Sequence, residues 1–258
     1  MEYPLQPNKV ISFANKMNYL YDNYLNNMNV YYSIIPDKNY YSQDNYLKLD
    51  YQELFTLVTD NLNPNIKYID ITNYLSLDDY YYTDIHWRQQ NLTKVVNTLS
   101  TNMNFQVSTN YKENKYYPFY GSYYGQLALS VKPDELVYLT NDLIDNAVVE
   151  DFDSDTTTIY ELDSLGKMDS YDVYLSGATP IIEMTNPNAE TERELIIFRD
   201  SFSSSLAPLL LEGYSKITLL DLRYISISML KDYVTFSNQD VLILYNTTII
   251  NNSDMIKK

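Results

Sequence analysis

Apolar and polar positions along the chain alternate between two rhythms. Residues 9–28 place Val10, Phe13, Met17, Leu20, Tyr21 and Tyr24 at helical spacing, which predicts an amphipathic helix. Residues 30–35 form a continuous β-rich run stopped by Pro36 and read as a buried strand. The polar, tyrosine-containing stretch 37–45 reads as a solvated connection. Helical periodicity returns over 51–62 through Tyr51, Leu54, Phe55 and Val58, and residues 66–71 read as a second strand. A further helix is marked from Trp87 by Leu92, Val95, Val96 and Leu99.

The rhythm weakens over 103–178, which reads as an irregular, partly β insertion lying over one end of a sheet, with 149–158 as an acidic hairpin or exposed loop. Within it, Phe119-Tyr120-Gly121-Ser122-Tyr123-Tyr124-Gly125 holds two of the five glycines, a sign of backbone that needs them. Strands are then expected at 180–184, 194–198, 217–221 and 241–245. Helices are expected at 202–212, with Gly213 as its C-cap, and at 225–235. Residues 251–258 read as a frayed tail. Alternating helices and strands predict an α/β fold with a parallel sheet covered on both faces, built as one domain over 1–258.

Composition narrows the chemistry. There is no cysteine, and His86 is the only histidine, so zinc sites of Cys/His type are excluded and no metal site is expected. A formal charge of −16 disfavours nucleic acid, anionic membranes and polyanionic glycans, and favours a neutral or cationic partner. No phosphate-binding glycine motif occurs, so no cofactor is expected. No apolar run spans a membrane and no signal peptide is visible at the start.

Two stretches carry candidate chemistry. In Tyr82-Thr83-Asp84-Ile85-His86-Trp87, the only histidine follows an aspartate by two positions, which in an extended segment points both side chains the same way. The pair reads either as a carboxylate orienting an imidazole or as a partly buried histidine capping a helix. Ser201 stands where an apolar strand breaks and a helix begins, a place that exposes a hydroxyl beside free backbone N–H groups at the carboxyl edge of the sheet. Asp200 and Ser201 also read as plain helix caps. Taken together, Asp84, His86 and Ser201 make a coherent Ser-His-Asp set, since triads are defined by geometry rather than order. Candidates for oxyanion or substrate contacts are Gly121, Ser122, Arg223 and Asn246. Tyr82, Trp87 and Tyr120 could form a sugar-stacking wall, although Trp87 reads more readily as the core anchor of the His86 turn.

The Asp84–Trp87 stretch resembles the signature of the DHHW proteins. Arg199-Asp200-Ser201-Phe202, continuing through Pro208 to Leu220-Asp221-Leu222-Arg223-Tyr224, resembles their serine block. These proteins are similar to the SGNH-like alginate O-acetyltransferases, which carry Asp-x-His-Trp ahead of a later Asp-Ser. The resemblance implies an SGNH hydrolase-like three-layer α/β/α sandwich with a mostly parallel sheet and a circularly permuted motif order. It also implies an extracellular or membrane-tethered enzyme that passes acetyl groups through an acetyl-serine to a polysaccharide, beside a membrane-bound O-acyltransferase that supplies them. Asp84, His86 and Ser201 would form its triad. The acidic charge favours a neutral acceptor such as cellulose. A carbohydrate acetyl esterase with the same triad and a non-catalytic glycan-binding component are the alternatives. Two departures stand out: Ile85 replaces the first histidine of the family name, and Arg199 stands where many SGNH enzymes have glycine.

Overall fold

The computed structural model describes residues 3–43, 47–108, 110–127 and 130–258; Asp44 and Asn45, in the 37–45 connection, lie outside them. Among the described residues nine strands form: β1 (Asn29–Ile35), β2 (Lys67–Tyr68), β3 (Lys112–Phe119), β4 (Asp134–Thr140), β5 (Val148–Asp151), β6 (Ile181–Thr185), β7 (Glu194–Arg199), β8 (Lys216–Leu220) and β9 (Asp240–Asn246). The α-helices are α1 (Pro7–Leu20), α2 (Tyr51–Asn61), α3 (Thr93–Met103), α4 (Ser122–Leu127), α5 (Asp142–Asp145), α6 (Ser203–Leu206) and α7 (Thr247–Asn251).

Seven strands make one sheet in the order β2-β1-β9-β7-β8-β6-β5. The neighbours from β2 to β8 are parallel, and β6 runs antiparallel to both β8 and β5. The central strands are apolar on both faces, as a sheet covered on both sides requires. In β7, Leu195 and Ile197 face a core shared with α3, while Ile196 and Phe198 face a core shared with α1 and α2. This is the expected mostly parallel α/β/α sandwich. Helix α1 starts on Pro7, whose missing N–H costs nothing there, and buries Val10, Phe13, Ala14, Met17 and Leu20 along one stripe. Helix α2 is capped by Asp50, which accepts the Glu53 N–H.

Several expected boundaries move, each for a local reason. The 9–28 helix ends at Leu20 and passes into a π-helical turn, Tyr21–Leu25. The 66–71 strand shrinks to two residues because the Asp70 carboxylate captures the Thr72 N–H and turns the chain. The helix expected from Trp87 begins only at Thr93, after a 3-10 turn at Gln89–Asn91. The 202–212 helix is one α-turn, α6, followed by a 3-10 segment, Ala207–Gly213, since Pro208 has no N–H for an α-helical bond. The 225–235 helix is likewise 3-10, Ile227–Asp232, burying Ile227 and Leu230 at a spacing of three. Gly213 is not a left-handed cap; it makes room, for a Cβ there would sit 2.3 Å from the Phe105 ring.

The 103–178 region contributes more than a cover. Strands β3 and β4 form a separate antiparallel ribbon, while β5 joins the main sheet as its edge, so 149–158 begins inside a strand rather than as a loop. The tail is not frayed. Ser253 Oγ donates to Lys9 O, Lys16 Nζ donates to Ser253 O and Ile256 O, and Lys257 N donates to Leu222 O. Ile256 is buried between them.

Ile256→Ala should therefore lower stability by about 2–4 kcal/mol, read as a shift of the urea midpoint; an unshifted midpoint would mean the tail is not part of the core. The tyrosine-rich interior makes a second prediction. Burial pushes the phenols of Tyr80, Tyr171, Tyr174 and Tyr245 well above their ordinary value. Phenols raised in the fold contribute stability that is complete below the unfolded value and lost above it. Each should cost about 1.4 kcal/mol per pH unit beyond about pH 10. Urea midpoints measured from pH 8 to 11 should fall steeply at the alkaline end, and a flat profile would refute this.

Candidate active site

The carboxyl ends of β1, β7, β8 and β9 lie side by side, and each delivers a polar group to the same edge. Register pairs Ile35 with Asn246, Arg199 with Leu244 and Phe198 with Leu220. Lys38, Ser201, Arg223 and Asn246 follow those ends and line one cleft of about 860 Å³. At the Ser201 turn, Asp200 is buried and caps its own loop, its oxygens accepting the Phe202 and Asn246 N–H groups. The plain-cap reading thus holds for Asp200 but not for Ser201, whose hydroxyl meets His86.

His86 Nε2 lies 2.8 Å from Ser201 Oγ, and His86 Nδ1 lies 2.6 Å from Asp84 Oδ1. Asp84 does not reach His86 by the alternation of an extended strand. Residues 83–86 are bends, and the Asp84 carboxylate accepts the His86 backbone N–H at 2.9 Å as well as the ring N–H. Its other oxygen accepts the Ser122 N–H at 2.7 Å. Burial alone would push this carboxyl up; the His86 ring and these N–H donors outweigh it and hold it well below the usual carboxylate range. A carboxylate fixed as an anion in this way keeps the imidazole proton on Nδ1 and leaves Nε2 to accept one from serine.

The loop carrying both residues is closed by an antiparallel bridge between Tyr80 and Trp87 and held from outside. Lys38 Nζ donates to Tyr81 O at 2.7 Å and Asp84 O at 2.6 Å, with Tyr123 beneath its ammonium at 4.5 Å. Burial pushes this ammonium down to about 8 against the pull of Asp84, Asp134 and Asp37. From the ribbon, Asp134 accepts the Tyr82 and Thr83 N–H groups, the Thr83 hydroxyl and the Arg88 guanidinium. Trp87 is fully buried, donating through Nε1 to Phe202 O at 3.0 Å and Ser205 Oγ at 2.9 Å, so it ties the histidine loop to the serine turn. Neither Lys38 nor Asp134 was singled out by the sequence. The 37–45 segment looked solvated, and only the fold brings these residues to Asp84.

Other expected contacts resolve differently. The Gly121 N–H donates to Thr83 Oγ1 and the Ser122 N–H to Asp84, so both are spent on the loop that carries His86 and neither is left for an oxyanion. Gly121 is needed for close approach, and Gly125 meets open space. The Asn246 N–H is spent on Asp200, and its amide donates to Ile35 O. Arg223 gives Nε and Nη2 to Asp221, which leaves Nη1 on a guanidinium that lines the cleft. The Ser201 N–H has no partner among the described residues. Arg199 is buried away from the cleft, donating to Ser204 Oγ, so it neither crowds Ser201 nor faces a ligand. Tyr82 is 70% exposed and lines an adjoining hollow of about 480 Å³, which shares Lys38, Leu77 and Tyr123 with the main cleft. Tyr120 packs against Tyr124, whose ring lines that hollow. Trp87 is absent from any such wall because it is interior. Among the described residues no group of three or more His, Asp or Glu side chains is arranged to hold a metal ion.

The fold aligns with a DHHW family protein from Eubacterium siraeum DSM 15702, with a TM-score of 0.78 and 19% identity over 96% of this chain and 87% of that one. It also aligns with Bacillus cereus PatB1 carrying a sulfonyl adduct, with a TM-score of 0.75 and 18% identity over 98% and 93% of the two chains. A second PatB1 structure gives 0.74 and 17%, over 95% and 92%. At these identities the likeness is one of fold. No protein-family model matches the sequence, and no curated protein does.

A Cβ on Gly121 would lie 2.2 Å from Asp84 Cβ and 2.7 Å from its Cα. Gly121→Ala should therefore displace the carboxylate and cut the reactivity of Ser201 about a hundredfold with the circular dichroism spectrum intact. Unchanged reactivity would show that the Asp84 position is not critical.

Proposed function

We propose that this protein is a serine acyltransferase that moves an acetyl group to a hydroxyl of a neutral polysaccharide. The observation that carries the proposal is the hydrogen-bonded chain Asp84–His86–Ser201, with links of 2.6 and 2.8 Å, opening into a cleft at the carboxyl edge of the sheet. Ser201 Oγ attacks the acetyl carbonyl while its proton passes to His86 Nε2. The developing oxyanion is met by the Ser201 N–H and the remaining edge of Arg223. Collapse expels the donor alcohol, which takes the proton from His86, and leaves acetyl-Ser201. His86 then accepts the proton of the acceptor hydroxyl as it attacks; the bond between Ser201 Oγ and the acyl carbon breaks, His86 returns the proton to Ser201 Oγ, and the ester is left on the acceptor.

The adjoining hollow supports an extended acceptor, with Tyr82 and Tyr124 offering ring faces and the Tyr120 ring packed behind. The net charge of −16 supports a neutral chain such as cellulose over a polyanion. The resemblance in the motifs supports an extracellular or membrane-tethered site of action beside a membrane-bound O-acyltransferase. Among the described residues no helix is long and apolar enough to cross a membrane.

The test incubates a chromogenic acetyl ester with cello-oligosaccharides and follows both products by mass spectrometry. The parent protein should add acetyl mass to the oligosaccharide, and Ser201→Ala and His86→Ala should each lose at least about a thousandfold in rate. Ester loss without acetylated sugar across several acceptors would make it an esterase. Indifference to both substitutions would leave a glycan-binding role and overturn the proposal.

A further inference from the structure

The His86 ring lies flat against an aromatic plate to which no motif pointed. Tyr171, in a 3-10 turn at Ser170–Val173, stacks on the imidazole with centroids 3.7 Å apart and planes 5° from parallel. It is 3% exposed and lies outside the cleft lining, so it meets no substrate. Its hydroxyl donates to Ser205 Oγ at 2.8 Å, the same oxygen that accepts Trp87 Nε1. Ser205 in turn donates to Phe202 O, one residue past the serine. A single hydroxyl thus joins the plate, the flank of His86 and the Ser201 turn.

Two hydrogen bonds at opposite nitrogens fix an axis through the imidazole but leave the ring free to roll about it. A parallel ring in van der Waals contact removes that roll. It does more once Ser201 gives up its proton, because the negative face of an aromatic ring attracts the cation it then faces. Burial pushes the Tyr171 phenol well above its ordinary value, so the plate itself stays neutral. We propose that Tyr171 is a positioning residue for acyl transfer, setting the plane of His86 and stabilising the imidazolium formed when Ser201 Oγ bonds to the acyl carbon and its proton moves to Nε2. This rests on the reading of Ser201 as the nucleophile.

The test compares the parent protein with Tyr171→Phe, which keeps the plate, and with Tyr171→Leu and Tyr171→Met, which remove it. The probe is phenylmethylsulfonyl fluoride, with label on Ser201 read by mass spectrometry as a function of reagent concentration. Because His86 is the only histidine, its ring protons are also followed by NMR without assignment ambiguity. The expected result is an upfield ring-current shift in the parent and Tyr171→Phe, with limiting rates within about threefold of each other. In either aliphatic variant that shift should fall to the remainder due to Phe202, whose ring centre lies 4.8 Å from the imidazole, and the limiting rate should fall about ten- to a hundredfold, at unchanged half-saturating concentration. A folded aliphatic variant that shows this fall in shift yet labels at the parent rate overturns the inference. So does a Tyr171→Phe protein as slow as the aliphatic ones, which would assign the effect to the hydroxyl link. A parent protein whose Ser201 takes no label sinks the acyl-transfer reading itself, and the role of Tyr171 with it.

Discussion

An imidazole carried on a loop has no backbone ladder to hold it, and the remainder of the site answers to that constraint. The bends around Asp84 and His86 leave carbonyls and N–H groups that neither helix nor sheet satisfies. Lys38 takes carbonyls from one side, and Asp134 takes N–H groups from the other. Trp87 pins the departing chain to the serine turn. Each anchor comes from a different part of the fold: the end of β1, the β3–β4 ribbon and the α6 turn. Removing the ribbon would therefore release the loop that carries Asp84 and His86. This accounts for a separate two-stranded sheet standing over an otherwise complete sandwich.

The electrostatics of this edge run against those of the molecule as a whole. The chain carries 34 acidic residues against 18 lysines and arginines, yet Lys38, Arg88 and Arg223 all gather here, each beside an aspartate. Arg199 lies beneath them within the field of Asp221. The pairing sets a cation beside each of these carboxylates and leaves the rim of the cleft locally mixed. An acidic surface can thus coexist with a site able to receive a developing negative charge on oxygen.

What the sequence made legible was what local patterning can encode. Apolar runs announced the strands, and the break after Phe198 marked Ser201 as a strand-to-helix turn, which read as a plain cap until it was set beside Asp84 and His86. The only histidine drew attention to Asp84 for want of competitors. Lys38, Asp134 and Tyr171 were illegible for the opposite reason. Each acts on a partner far away in the chain, in stretches that look like ordinary polar loops, and Tyr171 is one tyrosine among 29. The short helices were misjudged because spacings of three and 3.6 cannot be separated over so few residues. Pro208 was the one local signal that could have corrected the reading after Ser201.

The strand order has a consequence for how the molecule comes into being. β9, the last strand in chain order among the described residues, sits between β1 and β7 and pairs with both. Until it arrives, the N-terminal half presents β1 with an unpaired edge, and the sheet has no middle. Nothing made earlier can close early around the histidine loop, because the cap of the Ser201 turn draws on the N–H of Asn246 at the end of that strand. The Ser201 turn is thus completed only after β9 has been made.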